Sequence, residues 1–551
     1  MSATLTPATT SSGQQVYILR EGTSETKGRD AQKNNIMAAK LVADLVKSSL
    51  GPRGMDKMLV DSLGDVTITN DGATILKELD IQHPAAKMMV EISKTTDSEV
   101  GDGTTSAVIL AGALLERAEE LISKDVHPTI IVDGYNRAAE KALEYLEEIA
   151  FKVKPGDKQT LIRIAQTSMQ TKLVSDVSKE LAEIVVGAML QVAEQQEDGS
   201  YKVDIANVKV EKKPGGSLTD TKMIKGIILD KEVVHSGMPK RVEEAKIALI
   251  NSPLEIEKTE ITAEIRISDP SQMKKYLDEE NSMLKGMVDK ILSVEANVLV
   301  CQKGIDDVAQ FLLAKAGILT VRRAKESDMT MLAKATGARL VTNIDDLAKK
   351  DLGYAKLVEE RKVEQDRWVF VEGCKNPKAV TILIRGGQQR AVDEAERSLH
   401  DAIMVTKDVL EKPAIVAGGG APEAEIASRL RAYSNQVSGR EQLAILKFAD
   451  ALEVIPLMLS ENAGMDQIDS LVEIRAKHGQ GKKWVGINAL TGKVSDMMDS
   501  VVEPAAVKEE VIKAAAEASC MILRVNDVLA SARSGPPSPP PGAGGMGGGE
   551  Y

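Results

Sequence analysis

Residues 99–115 read EVGDGTTSAVILAGALL, a glycine-rich turn that runs directly into an apolar segment. The apolar run predicts a helix over residues 104–124, with the turn at its N-terminus. Backbone amides and hydroxyls at a positive helix end suit a phosphate group. Asp102 could then hold Mg²⁺, which favours one or two carboxylates together with phosphate oxygens. The same residues also fit a simple helix N-cap in a glycine-rich turn. This stretch alone leaves both interpretations open.

Two further glycine-rich stretches allow close approach of the backbone to a ligand. Residues 50–54 read LGPRG, and residues 418–420 are three glycines before the helix-compatible run APE. Glycine permits such approach because it has no Cβ. In isolation each stretch is equally typical of a turn or loop. The sequence contains no GxxxxGK[ST] pattern, so a P-loop of the Walker type is excluded.

The first 150 residues have mostly helical periodicity. Residues 31–50 predict a helix whose buried face carries Met37, Leu41 and Leu45. Short β-type runs at residues 57–60 and 66–69 predict a hairpin, because turn residues separate them. Helices are expected over residues 84–100, 104–124 and 129–149.

The middle of the chain has a different pattern. Between residues 226 and 371, the runs 246–249, 297–300, 318–321 and 339–341 alternate with helical stretches, which is typical of an α/β domain. Residues 252–294 are highly charged and predict a helical excursion. After a strand at residues 379–385, helical periodicity returns. The order helical, α/β, helical fits one helical domain built from both chain ends with another domain inserted between them.

Composition excludes several classes of protein. The chain has 551 residues, 43% of them hydrophobic, and a net charge of -12. Such a length predicts several domains, and the negative charge argues against binding to nucleic acid or an anionic membrane. The cysteines lack metal or disulfide spacing, and no signal peptide or membrane span is found, so the cytoplasm is the expected location. The Gly/Pro-rich tail, residues 534–551, should be disordered.

Several motifs together resemble the nucleotide-site segments of group II chaperonins of the archaeal thermosome type, in the TCP-1/chaperonin family. The resemblance runs from about Val16 to Ala532 and rests on residues 50–76 (LGPRGMDKMLVDSLGDVTITNDGATIL), 99–115, 396–403 (ERSLHDAI), 415–423 (IVAGGGAPE) and 486–497 (GINALTGKVSDM). These segments follow one another in chaperonin order and spacing. The combination is therefore far more specific than any single motif.

The resemblance implies a multidomain α and α/β chaperonin fold. The expected parts are an equatorial domain (1–154 and 407–533), an intermediate domain (155–225 and 373–406) and an apical substrate-binding domain (226–372) with a helical protrusion near 252–294. It also implies an ATP-dependent, Mg²⁺-requiring chaperone ATPase that encloses unfolded polypeptides. Identical or paralogous subunits would form two stacked rings of eight or nine, and the protrusions would replace a separate lid co-chaperonin.

The resemblance also implies roles for individual residues. Nucleotide contacts are expected from phosphate-side residues (Gly51, Gly103, Thr104, Thr105 and Ser106), ribose-side residues (Gly419 and Glu503) and adenine-side residues (Asn488 and Ala489). Asp102 would bind Mg²⁺. Asp61 and Asp401 would orient the attacking water, and Lys172 would sense the γ-phosphate.

Each of these roles has a simpler alternative. Asp61 could cap a turn, Asp401 could be a solvated helix residue, and Lys172 could be an ordinary surface lysine. In residues 308–316, Phe311, Leu312 and Leu313 could either meet client chains or pack in a core. Two other functions stay open: a structural assembly in which rings form filaments, and a regulatory subunit that binds ATP but hydrolyses it poorly. The aspartates at positions 61, 102 and 401 weigh against a regulatory subunit that hydrolyses ATP poorly.

Overall fold

The fold is described from a computed structural model, which covers residues 8–9, 15–16, 24–61, 64–170, 172, 174–197, 199–256, 270–374 and 379–530. The helices in chain order are α1 (Gly28–Lys47), α2 (Gly72–Glu78), α3 (Pro84–Val100), α4 (Thr104–Ile122), α5 (Pro128–Ile149), α6 (Lys158–Met169), α7 (Ser178–Val192), α8 (Pro270–Ser293), α9 (Asp307–Lys315), α10 (Glu326–Thr336), α11 (Gln389–Glu411), α12 (Ala421–Ser434), α13 (Glu441–Leu452), α14 (Val454–Asn462), α15 (Gln467–Gly479) and α16 (Ala505–Leu523).

The strands are β1 (Ala8–Thr9), β2 (Gln15–Val16), β3 (Ser24–Lys27), β4 (Lys57–Val60), β5 (Val66–Thr69), β6 (Phe151–Lys152), β7 (Glu194–Gln195), β8 (Tyr201–Lys202), β9 (Val208–Pro214), β10 (Lys222–Ile224), β11 (Gly226–Leu229), β12 (Arg241–Ile250), β13 (Val298–Cys301), β14 (Leu319–Val321), β15 (Leu340–Val341), β16 (Gly353–Val363), β17 (Asp366–Cys374), β18 (Val380–Gly386), β19 (Ala414–Ala417), β20 (Val485–Asn488), β21 (Lys493–Asp496), β22 (Val502–Pro504) and β23 (Asp527–Ala530).

Both ends of the chain build one helical body. Helix α16, near the C-terminus, packs against α3, α4 and α5, and one cluster of buried apolar side chains extends from Ile36 to Leu523. Strand β23 pairs antiparallel with β3, which ties the two ends together. Tyr135 is fully buried in this core, and its hydroxyl donates to the Leu114 carbonyl at 2.8 Å. The expected helical domain from both chain ends is confirmed.

Local signals explain where the helices next to the cavity begin and end. His83 precedes Pro84 and caps α3, because its Nδ1 accepts from the Ala85 amide at 3.2 Å. Proline suits this first helical position, since its missing N–H has no partner there anyway. Gly101 ends α3 with φ 69°, and Gly103 precedes α4 with φ 79°. The turn between the two helices is thus held in a left-handed conformation that favours glycine.

Helix α1 corrects one prediction from the sequence. Met37, Leu41 and Leu45 are 60%, 59% and 47% exposed, so the expected buried face points outward. The face that packs on α4 is a different one (Ile36, Ala39, Val42, Ala43 and Val46). Its spacing alternates between three and four residues, as a period of 3.6 requires. Residues spaced by exactly four do not stay on one face of such a helix, and Met37, Leu41 and Leu45 lie at the surface.

A small sheet follows the helical body in the chain. Its strand order is β10-β18-β9, with β18 parallel to β9 and antiparallel to β10. Helix α11 packs against this sheet and against α6 and α7, and it also contacts α3 of the helical body. This single helix therefore connects the sheet to the body.

The inserted unit is an α/β sheet of order β11-β17-β16-β12-β13-β14, with β15 paired to β12. It has a core of its own, which includes Leu249, Leu299 and Leu313. The predicted α/β pattern is confirmed, but the long antiparallel pair β16 and β17 was not predicted. Helix α8 confirms the helical part of the 252–294 excursion, whereas residues 257–269 lie outside the described part of the chain. The tail 534–551 also lies outside it.

The three cysteines are free thiols, two buried and one, Cys374, half-buried. Within the described ranges, none of the helices is long and apolar enough to cross a membrane.

Candidate active site

A cavity in the helical body collects residues that are far apart in sequence. Every motif quoted above contributes residues to the lining of this cavity, from the LGPRG turn to the loop after β20. Its lining includes the expected residues Gly51, Asp102, Gly103, Thr104, Thr105, Ser106, Lys172, Asp401, Gly419, Asn488, Ala489 and Glu503. Of the predicted site residues, only Asp61 is missing from this lining.

The N-terminus of α4 forms one wall. Thr104, Thr105 and Ser106 make up its first turn, whose amides have no partner within the helix. A Cβ on Gly103 would lie 2.8 Å from Val511 and 2.9 Å from Val507, so only glycine fits between this turn and α16. The Gly103 amide donates to Asp102 Oδ1 at 2.6 Å. Such a wall offers hydrogen-bond donors and a positive helix end to an anion.

Three carboxyl groups, the buried Asp401 and the half-buried Asp71 and Asp102, lie beside this wall. Burial raises the pKa of Asp102 and raises that of Asp401 well above its usual value, although Lys172 opposes both shifts. Burial would also raise the pKa of Asp71, but Lys172 and hydrogen bonds from Thr74 outweigh it, and the pKa is lowered. These carboxyl groups are close enough to disfavour one another's ionisation.

Lys172 is the cation among these carboxyl groups. It follows α6 at the cavity, and its Nζ donates to Asp401 Oδ2. Burial would lower its pKa, but Asp401, Asp71 and Asp102 together raise it, so the ammonium stays charged. One lysine offsets only part of the negative charge of three carboxylates. The remaining charge suits a divalent cation bound together with phosphate.

Asp61 is placed elsewhere, which corrects the expected pairing of Asp61 with Asp401. It is exposed at the end of β4, where its Oδ1 accepts from the Asp65 amide at 2.8 Å and closes the hairpin turn. The turn-capping alternative therefore describes its position. Asp71 lies at the cavity instead: it caps α2 by accepting from the Thr74 amide at 2.9 Å, and its Oδ1 lies 3.3 Å from Thr104 Oγ1.

Sequence reasoning missed Asp71 although a signal was present. The run Asn70-Asp71-Gly72 joins β5 to α2, so it is a strand-to-helix turn. An acidic residue in such a turn can accept from the first amides of the helix, whereas a residue at the tip of a hairpin lies at the surface. Lys508 was also missed, since a lysine on a helix ordinarily lies in solvent.

The opposite end of the cavity is built by β-structure. The Ile487 amide in β20 donates to the Gly419 carbonyl at 2.8 Å, which holds the glycine loop against the β20–β21 hairpin. Asn488 and Ala489 follow at the end of β20. Glu503 projects from β22, which pairs with β19 directly before the glycine loop. This end offers backbone groups together with the Glu503 carboxyl group and the Lys508 ammonium group.

Metal binding by the protein alone is not supported. Over the residues that the structure describes, no group of three or more His, Cys, Asp or Glu side chains is arranged to hold a metal ion. A cation at Asp102 would therefore need ligand atoms from a bound molecule or water. That requirement matches Mg²⁺, which keeps waters and binds substrate phosphates.

Comparisons with known proteins agree with the sequence motifs. Residues 42–533 match the model of the TCP-1/cpn60 chaperonin family. The chain is 58% identical over 520 residues to a thermosome subunit of Methanopyrus kandleri, covering 94% of this chain and 95% of that protein. It is 57% identical over 535 residues to a thermosome subunit beta of Sulfurisphaera tokodaii, covering 97% of each. An open-state monomer of a group II chaperonin from Methanococcoides burtonii matches with a TM-score of 0.60 and 44% identity, covering 77% of this chain and 100% of that one.

Proposed function

The chain belongs to the TCP-1/cpn60 chaperonin family, and we propose that its cavity binds ATP with Mg²⁺ and hydrolyses it. Its function is that of a chaperonin subunit: it assembles into rings that bind and fold non-native proteins in an ATP-dependent manner. The observation that carries the proposal is the juxtaposition of a free helix N-terminus with three carboxyl groups and one buried lysine. That arrangement provides anion binding and metal binding in one place.

The phosphates would lie at the N-terminus of α4. Thr104, Thr105 and Ser106 offer amides and hydroxyls there, and Gly51 lies across the cavity at the LGPRG turn. Asp102 would hold Mg²⁺, which would offset phosphate charge during transfer. At the other end, Gly419 and Glu503 would face the ribose, and Asn488 and Ala489 the adenine.

Asp401 and Asp71 would orient the water that attacks the γ-phosphate. Phosphoryl transfer depends mainly on positioning and charge stabilisation, so a carboxylate that holds this water acts on hydrolysis more than on binding. The structure supports Asp71 in the role that the sequence suggested for Asp61, because Asp71 lines the cavity and Asp61 does not. Lys172 would pass from Asp401 towards the γ-phosphate when nucleotide is bound.

Hydrolysis would drive ring closure through α11. This helix carries Asp401 at the cavity and packs on the β10-β18-β9 sheet, so a displacement of the sheet changes the geometry of the site. The domain boundaries would lie at residues 154, 225, 372 and 406. The subunits would form stacked rings of eight or nine, closed by the protrusions without a separate lid protein, and would be located in the cytoplasm.

Refolding of a denatured client protein tests this function. We expect folding yield to rise with ATP but not with ADP or without nucleotide. A filament-forming structural protein would give no nucleotide dependence, and a regulatory subunit would bind ATP without turnover. ATP binding without either hydrolysis or refolding would contradict the proposal.

A further inference from the structure

A second buried ion cluster lies at the sugar end of the cavity. Lys508, in the first turns of α16, places its Nζ 2.7 Å from Glu503 Oε2 and 3.0 Å from Glu423 Oε1. Glu423 comes from the start of α12, directly after the glycine loop. The side chains of Lys508, Glu423 and Glu503 are 8%, 3% and 23% exposed. Glu503 is thus the member that opens most to the cavity, and Glu423 lies behind Lys508.

The backbone at Gly418 leaves room for the Glu503 carboxylate. A Cβ on Gly418 would lie 2.9 Å from Glu503 Oε1, so this oxygen occupies the space that a side chain would fill. The other oxygen, Oε2, is held by Lys508. Lys508 therefore holds the carboxylate from the Oε2 side, and Oε1 retains the capacity to accept a hydrogen bond from a bound molecule.

Lys508 forms ion pairs with two carboxylate partners. Burial would lower its pKa, but Glu423 and Glu503 outweigh that effect and raise it, so the ammonium is charged. Burial raises the pKa of Glu503, and Lys508 opposes this rise. A lysine between two carboxylates has little remaining charge to offer a phosphate. Its effect is to favour the ionised form of Glu503, which accepts hydrogen bonds and donates none.

We propose that Lys508 is a positioning residue that holds the Glu503 carboxylate against the ribose hydroxyls, so that the cavity selects ribonucleotides over deoxyribonucleotides. The proposal rests on the function proposed above, since it places the sugar of ATP beside Glu503. A hydroxyl that donates to a charged acceptor forms one of the stronger hydrogen bonds in proteins. Its loss in a deoxynucleotide leaves a desolvated carboxylate without that donor.

The test compares the affinities of the assembled full-length protein for ATP, 2′-deoxy-ATP and 3′-deoxy-ATP by calorimetry. We expect the wild type to bind at least one deoxynucleotide about tenfold more weakly than ATP, the usual effect of losing a charged hydrogen bond. Lys508→Met should bring this ratio close to one and raise KM for ATP more than it lowers kcat. Lys508→Arg keeps the charge and should retain part of the selectivity.

Removal of a buried cation can also destabilise the fold, so a second variant is needed. Glu423→Gln combined with Lys508→Gln removes one charge of each sign, and it should lose selectivity in the same way while Glu503 remains. Unchanged selectivity in this double variant or in folded Lys508→Met would overturn the proposal, as would a wild type that does not distinguish the three nucleotides. A wild type that binds no ATP would instead refute the proposed function.

Discussion

At the cavity, Lys172 and Asp401 meet with only 7% and 11% of their side chains exposed, whereas in the inserted unit Lys246 and Glu295 meet with 51% and 57% exposed. The exposed pair is screened by water and adds little to stability. The buried charges are costly to desolvate, so they require a compensating interaction. This difference indicates that the Lys172–Asp401 pair is kept for a ligand, whereas the Lys246–Glu295 pair only adds charge to the surface.

Large apolar side chains are exposed in both regions, and Met37 and Leu41 of the body are 60% and 59% exposed. Tyr135 and Phe448 of the body are fully buried and pack edge to face, with ring centroids 5.6 Å apart. The inserted unit leaves Met283 and Phe311 58% exposed, on α8 and α9. Exposed Met and aromatic side chains adapt to irregular apolar partners. Chemistry is thus expected in the body, and contact with clients in the inserted unit.

The largest effect should come from Asp401→Ala. Loss of a group that orients the attacking water typically lowers the rate by about 10²- to 10⁴-fold, so turnover should fall by that order while ATP still binds. Single-turnover hydrolysis and nucleotide affinity measure the two effects separately. Asp61→Ala is the matched control, because its side chain is exposed on the hairpin, and it should hydrolyse ATP at close to the wild-type rate. A large loss of ATP hydrolysis in Asp61→Ala would instead support the catalytic role that the sequence suggested for Asp61.

Asp102→Ala should act on metal binding. Because Asp102 is the proposed Mg²⁺ ligand, its loss should weaken the metal–nucleotide complex by roughly 10- to 100-fold, the range seen when support for a bound metal is removed. Excess Mg²⁺ should restore part of the activity. Titration of ATP hydrolysis with Mg²⁺ measures this shift, and an unchanged Mg²⁺ requirement would exclude Asp102 as the ligand.

Phe311→Ser tests the inserted unit. It should reduce binding of an unfolded client about fivefold, a typical effect of one contact residue, without changing ATP turnover. Leu313→Ala, two residues away, is the contrasting variant because Leu313 is fully buried. It should cost about 2–5 kcal/mol of stability by creating a cavity. Client binding by Phe311→Ser at the wild-type level would remove α9 from the contact surface.

The smallest effect concerns Asp408, near the C-terminal end of α11. Burial raises its pKa from 3.8 to about 7, so the folded chain binds this proton more tightly than the unfolded chain. Its contribution is fully present below about pH 4 and is lost as pH rises towards 7. Asp408→Asn should therefore raise the midpoint of thermal unfolding by about 2–4 °C at pH 8 relative to wild type, and by less at pH 5. Equal shifts at both pH values would argue against a titrating Asp408.

The sequence predicted elements well where local signals decide them. Helix α3 and the strands β4 and β5 have the predicted limits, because a proline, a glycine and turn residues mark their ends. The face of α1 was predicted wrongly because its helix carries two apolar stripes, and packing against α4 decides between them. The pair β16 and β17 was missed because its strands carry many polar residues, such as the exposed Lys356 and Lys362 of β16.

The candidate site was predicted in most of its residues, but only through the family resemblance. Each glycine-rich turn alone fitted a simple loop equally well. Asp61 and Asp71 are ten positions apart in one motif, and the sequence does not show which of them turns inward. The tertiary fold makes that choice, since β4 and β5 project outward while α2 packs beside α3 and α4.

The pairing of β3 with β23 and the packing of α16 on α4 have a consequence for synthesis on the ribosome. Helices α3, α4 and α5 emerge early, but the helix that completes their core comes from the far end of the chain. At about 5–20 residues per second, they wait on the order of tens of seconds for it. The inserted unit, whose core is contained within its own segment, can fold during that interval. Nascent chains of this protein therefore expose the apolar surface of the helical body longest, and this body is the part most at risk of aggregation before release.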